Sequence, residues 1–269
     1  MRIQAGGIAT NCELSGEGAS LVLIHGFTDN LTMWFNQVPE FSRHFKVLTY
    51  DVRGHGGTEI PESRFSMEIF ADDLRALLEA LEIDRACLLG YSMGGRIGLQ
   101  FALRHPEMTS GLIFANSGVV GSDVKPTAEQ VAQLLERRKQ MVKLFETGDI
   151  EAIAEGMAER SFSPGMRERD PALFQMYKDV KLRNDPGHYL AIMEAMVQAV
   201  TNPPDLTQLD CPVLIIAGEQ DGFMSLDEAR SMQRAIRDVT LITLPTGHAA
   251  ALESPQAFNR AVLDFEGRL

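Results

Sequence analysis

Two kinds of hydrophobic spacing alternate along the chain. Short apolar runs bounded by turn residues fall at Ser20–Ile24, Phe45–Tyr50, Ala86–Leu89, Gly111–Ala115, Pro212–Gly218 and Thr240–Leu244, the pattern of strands buried on both faces. Between them, apolar residues recur every three or four positions. In Ser66–Leu81 these are Ile69, Phe70, Leu74, Leu77, Leu78 and Leu81, one face of a helix laid against a sheet. Arg2–Gln4 and Ile8–Glu13 read as an N-terminal hairpin. Strand–helix–strand alternation of this kind predicts an α/β fold on a parallel sheet.

The alternation stops after Ser117 and resumes at Pro212. Ser122–Pro204 holds no strand-like run, but carries 24 charged residues and six of the 13 methionines, so it reads as a helical insertion. Its helix starts are marked. Thr127 with Gln130 forms a capping-box pattern, Asp149 precedes a helix over Ile150–Phe162, and Asp170-Pro171 and Asp185-Pro186 place a cap residue before proline at the first helical position. Asn202-Pro203-Pro204 returns the chain to the sheet, since consecutive prolines favour extended backbone.

Composition removes several function classes. The 25 Lys and Arg stand against 37 Asp and Glu, a net charge of −12, which argues against nucleic acid as a partner. No apolar run approaches the ~20 residues that span a bilayer, so no membrane is expected. Met1–Thr10 lacks an apolar signal core, pointing to a cytoplasmic protein. Cys12, Cys87 and Cys211 are odd in number and far apart, a pattern of neither disulfides nor thiolate metal sites. Cys87, inside the run Ala86–Leu89, reads as a buried thiol.

The chemistry gathers where strands end. Gly90-Tyr91-Ser92-Met93-Gly94 lies between the apolar run Ala86–Leu89 and the helical pattern Gly95–Arg104, the context in which G-x-S-x-G forms a strained turn presenting its serine. A serine hydroxyl needs a histidine base and an acid to orient that base. Asp221 follows the run Pro212–Gly218, and His248 follows the last strand, 27 residues later. Both lie past the carboxyl ends of strands, the ligand-binding edge of open α/β sheets. The His25-Gly26-Phe27 turn after Ser20–Ile24 brings the Phe27 N–H toward the Met93 N–H, two candidate oxyanion donors. His25 reads mainly as a brace for its loop. Together with Tyr91 and Arg96 it is a candidate substrate contact. Asp51-Val52-Arg53-Gly54-His55-Gly56 reads as a turn, since one Asp and one His do not make a metal site. Trp34 reads as packing.

In order along the chain, His25-Gly26-Phe27, Asp51–Gly56, Gly90–Gly95, Gly218-Glu219-Gln220-Asp221 and Gly247-His248 resemble the α/β-hydrolase superfamily. The resemblance covers most of the sequence. It implies an eight-stranded, mostly parallel sheet, a hydrolase core over residues 1–121 and 205–269, a helical cap over 122–204 inserted after the sixth strand, and no cofactor. Serine at position 92 separates the chain from superfamily members whose elbow carries aspartate, the haloalkane dehalogenases and epoxide hydrolases.

The expectation is a serine hydrolase cleaving a small carboxylic ester or lactone through an acyl-enzyme, with Ser92, His248 and Asp221 as triad and the Phe27 and Met93 amides as oxyanion hole. Two alternatives keep the fold. The segment Gly90–Arg96 resembles the menaquinone-pathway enzyme that eliminates pyruvate, in which Arg96 would hold a carboxylate, and carbon–carbon bond hydrolases share the Ser-Met-Gly-Gly elbow. The insertion's 11 cations against 13 acids favour a weakly charged substrate over the carboxylate-rich one the first alternative needs. A third alternative is an inactive fold used as a ligand receptor, against which the intact triad weighs. Oligomeric state is not readable from the sequence.

Overall fold

The computed structural model describes residues 1–60, 64–119, 136, 139–201 and 204–269. Its centre is an eight-stranded sheet: β1 (Arg2–Ala5), β2 (Ile8–Ser15), β3 (Ser20–Ile24), β4 (Lys46–Tyr50), β5 (Ala86–Tyr91), β6 (Thr109–Ala115), β7 (Val213–Gly218) and β8 (Val239–Leu244). The spatial order is β1-β2-β4-β3-β5-β6-β7-β8. The hairpin β1–β2 and the pair β2–β4 are antiparallel, and every later pair is parallel.

Alternation along each strand divides the core between two faces. Val22, Leu48, Leu88, Leu112 and Ile215 point to one face, which α1 (Met67–Ala80) and α2 (Met93–Arg104) cover. Leu21, Leu23, Val47, Leu89, Ile113 and Leu214 point to the other, with Trp34, Phe41 and Phe258. β5 and β7 are buried along their whole length, hence their continuous apolar sequence. Ser66 caps α1 by accepting the Ile69 N–H at 3.2 Å. All three cysteines are free and buried. Burial and the neighbouring Glu266 push the Cys87 thiol well up.

Between β6 and β7 the described residues form helices and no strand. These are α3 (Ile150–Ser161), α4 (Pro171–Leu182) and α5 (Tyr189–Thr201), with a helical turn at Met166–Arg169 and helical residues 139–146. The expected starts at Asp149 and Asp170 are present: their carboxylates accept the N–H groups of Ala152 and Leu173. Asp185-Pro186 opens a single 3-10 turn, Pro186–His188, before α5 begins. The expected Thr127–Gln130 capping box and the Asn202-Pro203 pair lie outside the described residues. After β7, α6 (Leu226–Ala235) opens on a capping box between Ser225 and Glu228, and α7 (Pro255–Glu266) closes the chain. Among the described residues no helix is long and apolar enough to cross a membrane.

Candidate active site

Sheet register sets the site's framework. Ile24 pairs with Gly90 across β3 and β5, and Tyr91 with Ala115 across β5 and β6. The turns after β3, β5 and β6 therefore leave the sheet side by side. Ser92 sits between β5 and α2 with φ +52°, a conformation costly for a residue with a Cβ. The flanking glycines permit so close a turn: a Cβ on Gly90 would strike the Gly94 backbone, and one on Gly94 would strike the Ile24 carbonyl. The Ser92 N–H donates to Ala115 O at 3.0 Å, and Ser117 Oγ donates to Ser92 O at 2.6 Å. The strain is thus held from the neighbouring strand.

β7 and β8 deliver the partners. His248 Nε2 lies 2.9 Å from Ser92 Oγ, and His248 Nδ1 lies 2.8 Å from Asp221 Oδ2. Nδ1–H donating to the carboxylate leaves Nε2 as the acceptor facing the serine, the tautomer a general base would need. The imidazole is flanked by the rings of Tyr91 and Phe223, centroids 5.1 and 4.7 Å away. Asp221 also accepts from Asn116 Nδ2 at 3.0 Å and from the N–H groups of Phe223 and Met224 at 2.7 and 3.1 Å. Burial works against its charge, but the His248 ring and these hydrogen bonds outweigh burial and hold the carboxyl below its ordinary value.

Among the described residues no hydrogen bond occupies the Phe27 or Met93 N–H, so both stay available to an anion. Met93 is the first residue of α2, where the helix end concentrates partial positive charge. His25 takes the bracing role: Nδ1–H donates to Gly26 O at 2.8 Å, and Nε2 accepts the Val52 N–H at 2.9 Å. Burial lowers its pKa, as it does for His55, so both rings are neutral near pH 7.

Two expected substrate contacts need correcting. His25 is fully buried with both nitrogens committed to backbone. Tyr91 is buried as well, its hydroxyl 3.5 Å from that of Tyr177. Both are buried among protein groups, His25 against backbone and Tyr91 against His248 and Tyr177. Arg96 borders a cavity of about 10 Å³ with Met67, Leu99, Gln100, Val119 and Ala199, room for one water and not for a substrate carboxylate. Burial lowers its pKa and Glu228 opposes that.

Sequence reading passed over several residues that build the site. Asn116 (φ +48°) spans Asp221 and the Gly247 carbonyl. Glu253 accepts the N–H groups of Gly247 and Ser163, tying the His248 turn to the insertion. Thr28, Asp29 and Asn30, directly after Phe27, meet α4 and the turn that follows it through Val180, Lys181 and Asn184. Their one visible signal was a polar run following an apolar strand. Among the described residues, no cluster of three or more His, Cys, Asp or Glu side chains is placed to hold a metal.

A family model described as alpha/beta hydrolase fold matches residues 19–255. The chain is 32% identical over 243 residues to 3-oxoadipate enol-lactonase 2 of Acinetobacter baylyi, covering 90% of this chain and 86% of that one. It is 27% identical over 274 residues to 2-hydroxy-6-oxo-2,4-heptadienoate hydrolase of Pseudomonas putida, covering 98% and 94%. Among solved structures, the enol-lactonase from Burkholderia xenovorans matches with a TM-score of 0.87 at 28% identity, over 99% of this chain and 100% of that one. By fold, by sequence and by the arrangement at its strand ends, the chain belongs to the alpha/beta hydrolase fold family and is a hydrolase.

Proposed function

We propose that the chain is a serine hydrolase acting on small carboxylic esters or lactones. The observation that carries this reading is the continuous Ser92–His248–Asp221 relay, with contacts of 2.9 and 2.8 Å. His248 Nε2 takes the Ser92 Oγ proton as Oγ attacks the carbonyl carbon. The Phe27 and Met93 N–H groups receive the negative charge of the tetrahedral intermediate. Collapse breaks the carbon–oxygen bond, and His248 returns the proton to the departing alcohol. Water then attacks the acyl-enzyme with the same base and releases Ser92. Asp221, kept ionised by its hydrogen bonds, holds the imidazolium throughout.

The enol-lactonase relatives favour a lactone within this class. The insertion methionines are mostly part of the packed core rather than a separate lining. Met157 and Met193 join the core cluster of Phe27, Phe145 and Tyr189, whereas Met176 is 48% exposed. We take residues 122–204 as the cap. Carbon–carbon bond hydrolysis on the same triad is the second reading, favoured by the heptadienoate hydrolase relative. Pyruvate elimination needs cations open to substrate acids. Among the described residues, Arg96 borders a water-sized cavity, and three of the insertion's cations, Arg167, Lys178 and Lys181, are paired with Glu155 or Asp29, which weighs against that reading.

Ser92→Ala should lower p-nitrophenyl acetate hydrolysis by at least about 10,000-fold while circular dichroism stays unchanged. Activity retained in that variant would sink the assignment. Relative kcat/KM for simple esters, lactones and dienoic diketo acids separates the two readings. A fluorophosphonate that fails to label Ser92 would instead favour a receptor lacking catalysis.

A further inference from the structure

Thr28 follows the proposed oxyanion donor Phe27 and has φ +66°. For a β-branched residue this is a strongly disfavoured backbone state, one that persists only where the surroundings over-determine it. Each of its polar atoms is held. Its N–H donates to His55 Nε2 at 3.3 Å. Its carbonyl accepts from Asn184 Nδ2 at 2.9 Å, and its hydroxyl accepts from Lys181 Nζ at 3.2 Å. Two of these three holds therefore come from the end of α4 and the turn after it, more than 150 residues along the chain.

Lys181 is committed there. Its side chain is 1% exposed, its ammonium lies 2.6 Å from Asp29 Oδ1, and it sits 4.0 Å above the Tyr177 ring. The Tyr177 hydroxyl donates to the other Asp29 oxygen at 3.2 Å. Asn184 also accepts the Gly56 N–H through Oδ1 at 2.7 Å, so its amide is fixed in orientation. Alongside, Asn30 Nδ2 donates to Val180 O at 2.7 Å. An apolar contact alone would have seated α4. A buried ion pair with several amide bonds defines where each atom of Thr28–Asn30 lies.

We infer that Lys181 and Asn184 are positioning residues: they hold Thr28 in its strained conformation and so aim the Phe27 N–H at the oxyanion formed on Ser92. The inference rests on the serine-hydrolase reading above. Acylation and deacylation both pass through an oxyanion, so a displaced donor slows both steps together. kcat falls and KM stays nearly constant.

The test is steady-state hydrolysis of p-nitrophenyl acetate by D29N/K181M and by N184A, with circular dichroism and melting checked on each. D29N/K181M removes both charges, so no lone buried ion remains. It should fold and lose about 10- to 100-fold in kcat, less than outright deletion of a donor, with KM within about threefold of wild type. N184A should show the same pattern at about fivefold. A folded D29N/K181M with kcat within twofold of wild type overturns the inference, as does a loss carried by KM. Should D29N/K181M not fold, N184A decides, and an unchanged kcat overturns the inference. Ser92→Ala run alongside separates the two failures. Hydrolysis that survives it removes the functional reading and this inference with it, whereas a dead Ser92→Ala beside a fully active D29N/K181M removes the inference alone.

Discussion

The sheet and the junction between α4 and the β3 turn are equally dry and are held by opposite means. Along β5 and β7 every residue is buried, and what meets across the layers is Leu88, Leu112, Ile215 and their neighbours. At the junction, Lys181, Asp29, Thr28, Asn184 and His55 are buried together. Apolar packing is non-directional and grows with area. A buried polar cluster gains little net stability, because desolvation offsets its attraction, but it is costly to disturb and permits one geometry. On the inference above, the sheet supplies stability and the junction supplies placement.

The largest expected effect tests this directly. Lys181→Met strands the Asp29 carboxylate in a dry site and should cost about 3–5 kcal/mol in urea unfolding. Adding Asp29→Asn should recover most of that loss, since no uncompensated charge is left. Equal destabilisation by the single and double variants would break the contrast, because the pair would then be contributing stability as a packed unit.

Ile215→Ala in β7 should cost about 2–5 kcal/mol through lost burial and the cavity left behind. Here no second polar-to-neutral change can restore the loss. The folded fraction should hydrolyse p-nitrophenyl acetate with kcat within about twofold of wild type. A selective fall in kcat with little change in stability would mean that the sheet also tunes the site.

That division also explains what the sequence revealed. Uninterrupted runs such as Val213–Gly218 announce a buried strand because both faces need apolar side chains. Ser92 and Asp221 were legible because each follows such a run; the strand before His248, β8, lies at the sheet edge and is only half-buried, so its expected burial on both faces is not met. Strand boundaries moved by a residue or two: β5 extends to Tyr91 and β6 begins at Thr109. The junction was illegible. Lys181 lies on α4 one turn after Tyr177, where a lysine ordinarily faces water, and its partner Asp29 is 152 residues away. Nothing local distinguishes it from Lys178, which pairs with Glu151 and Glu155. Tyr91 as a substrate contact fails for a similar reason, since proximity in sequence to Ser92 does not say which way a ring points, whereas the bracing role of His25 follows from its place at a strand end.

A third effect separates the regions by pH, because burial raises the thiols and the phenol of the sheet core away from neutrality, whereas His25 and His55, beside the β3 turn, are imidazoles. Burial depresses the pKa of His25 and His55. In the unfolded chain each returns to about 6.5. Below that pH the unfolded state binds protons that the native state refuses, so stability falls as pH drops, by up to about 1.4 kcal/mol per unit for each ring until the native pKa is reached. Above about 6.5 the contribution is flat. His55→Asn should remove one ring's share, so its stability difference from wild type should shrink or reverse between pH 7.5 and 5.5 in urea titrations. A difference constant across that range would mean that His55 protonates equally in both states.

The smallest effect asks whether the junction depends on the whole of α4 or on one end. Asp170 caps the far end, its carboxylate accepting the Leu173 N–H at 2.9 Å, with Pro171 at the first helical position. Asp170→Ala should cost about 1 kcal/mol, the usual worth of such a cap. Fraying from that end must pass Phe174 and Tyr177, both buried, before it reaches Lys181. The cost should therefore appear in the urea midpoint and leave kcat within about twofold. If kcat falls with the cap, as in D29N/K181M, then Thr28 is held by the helix as a rigid whole, and placement extends along all of α4 rather than residing in its last turn.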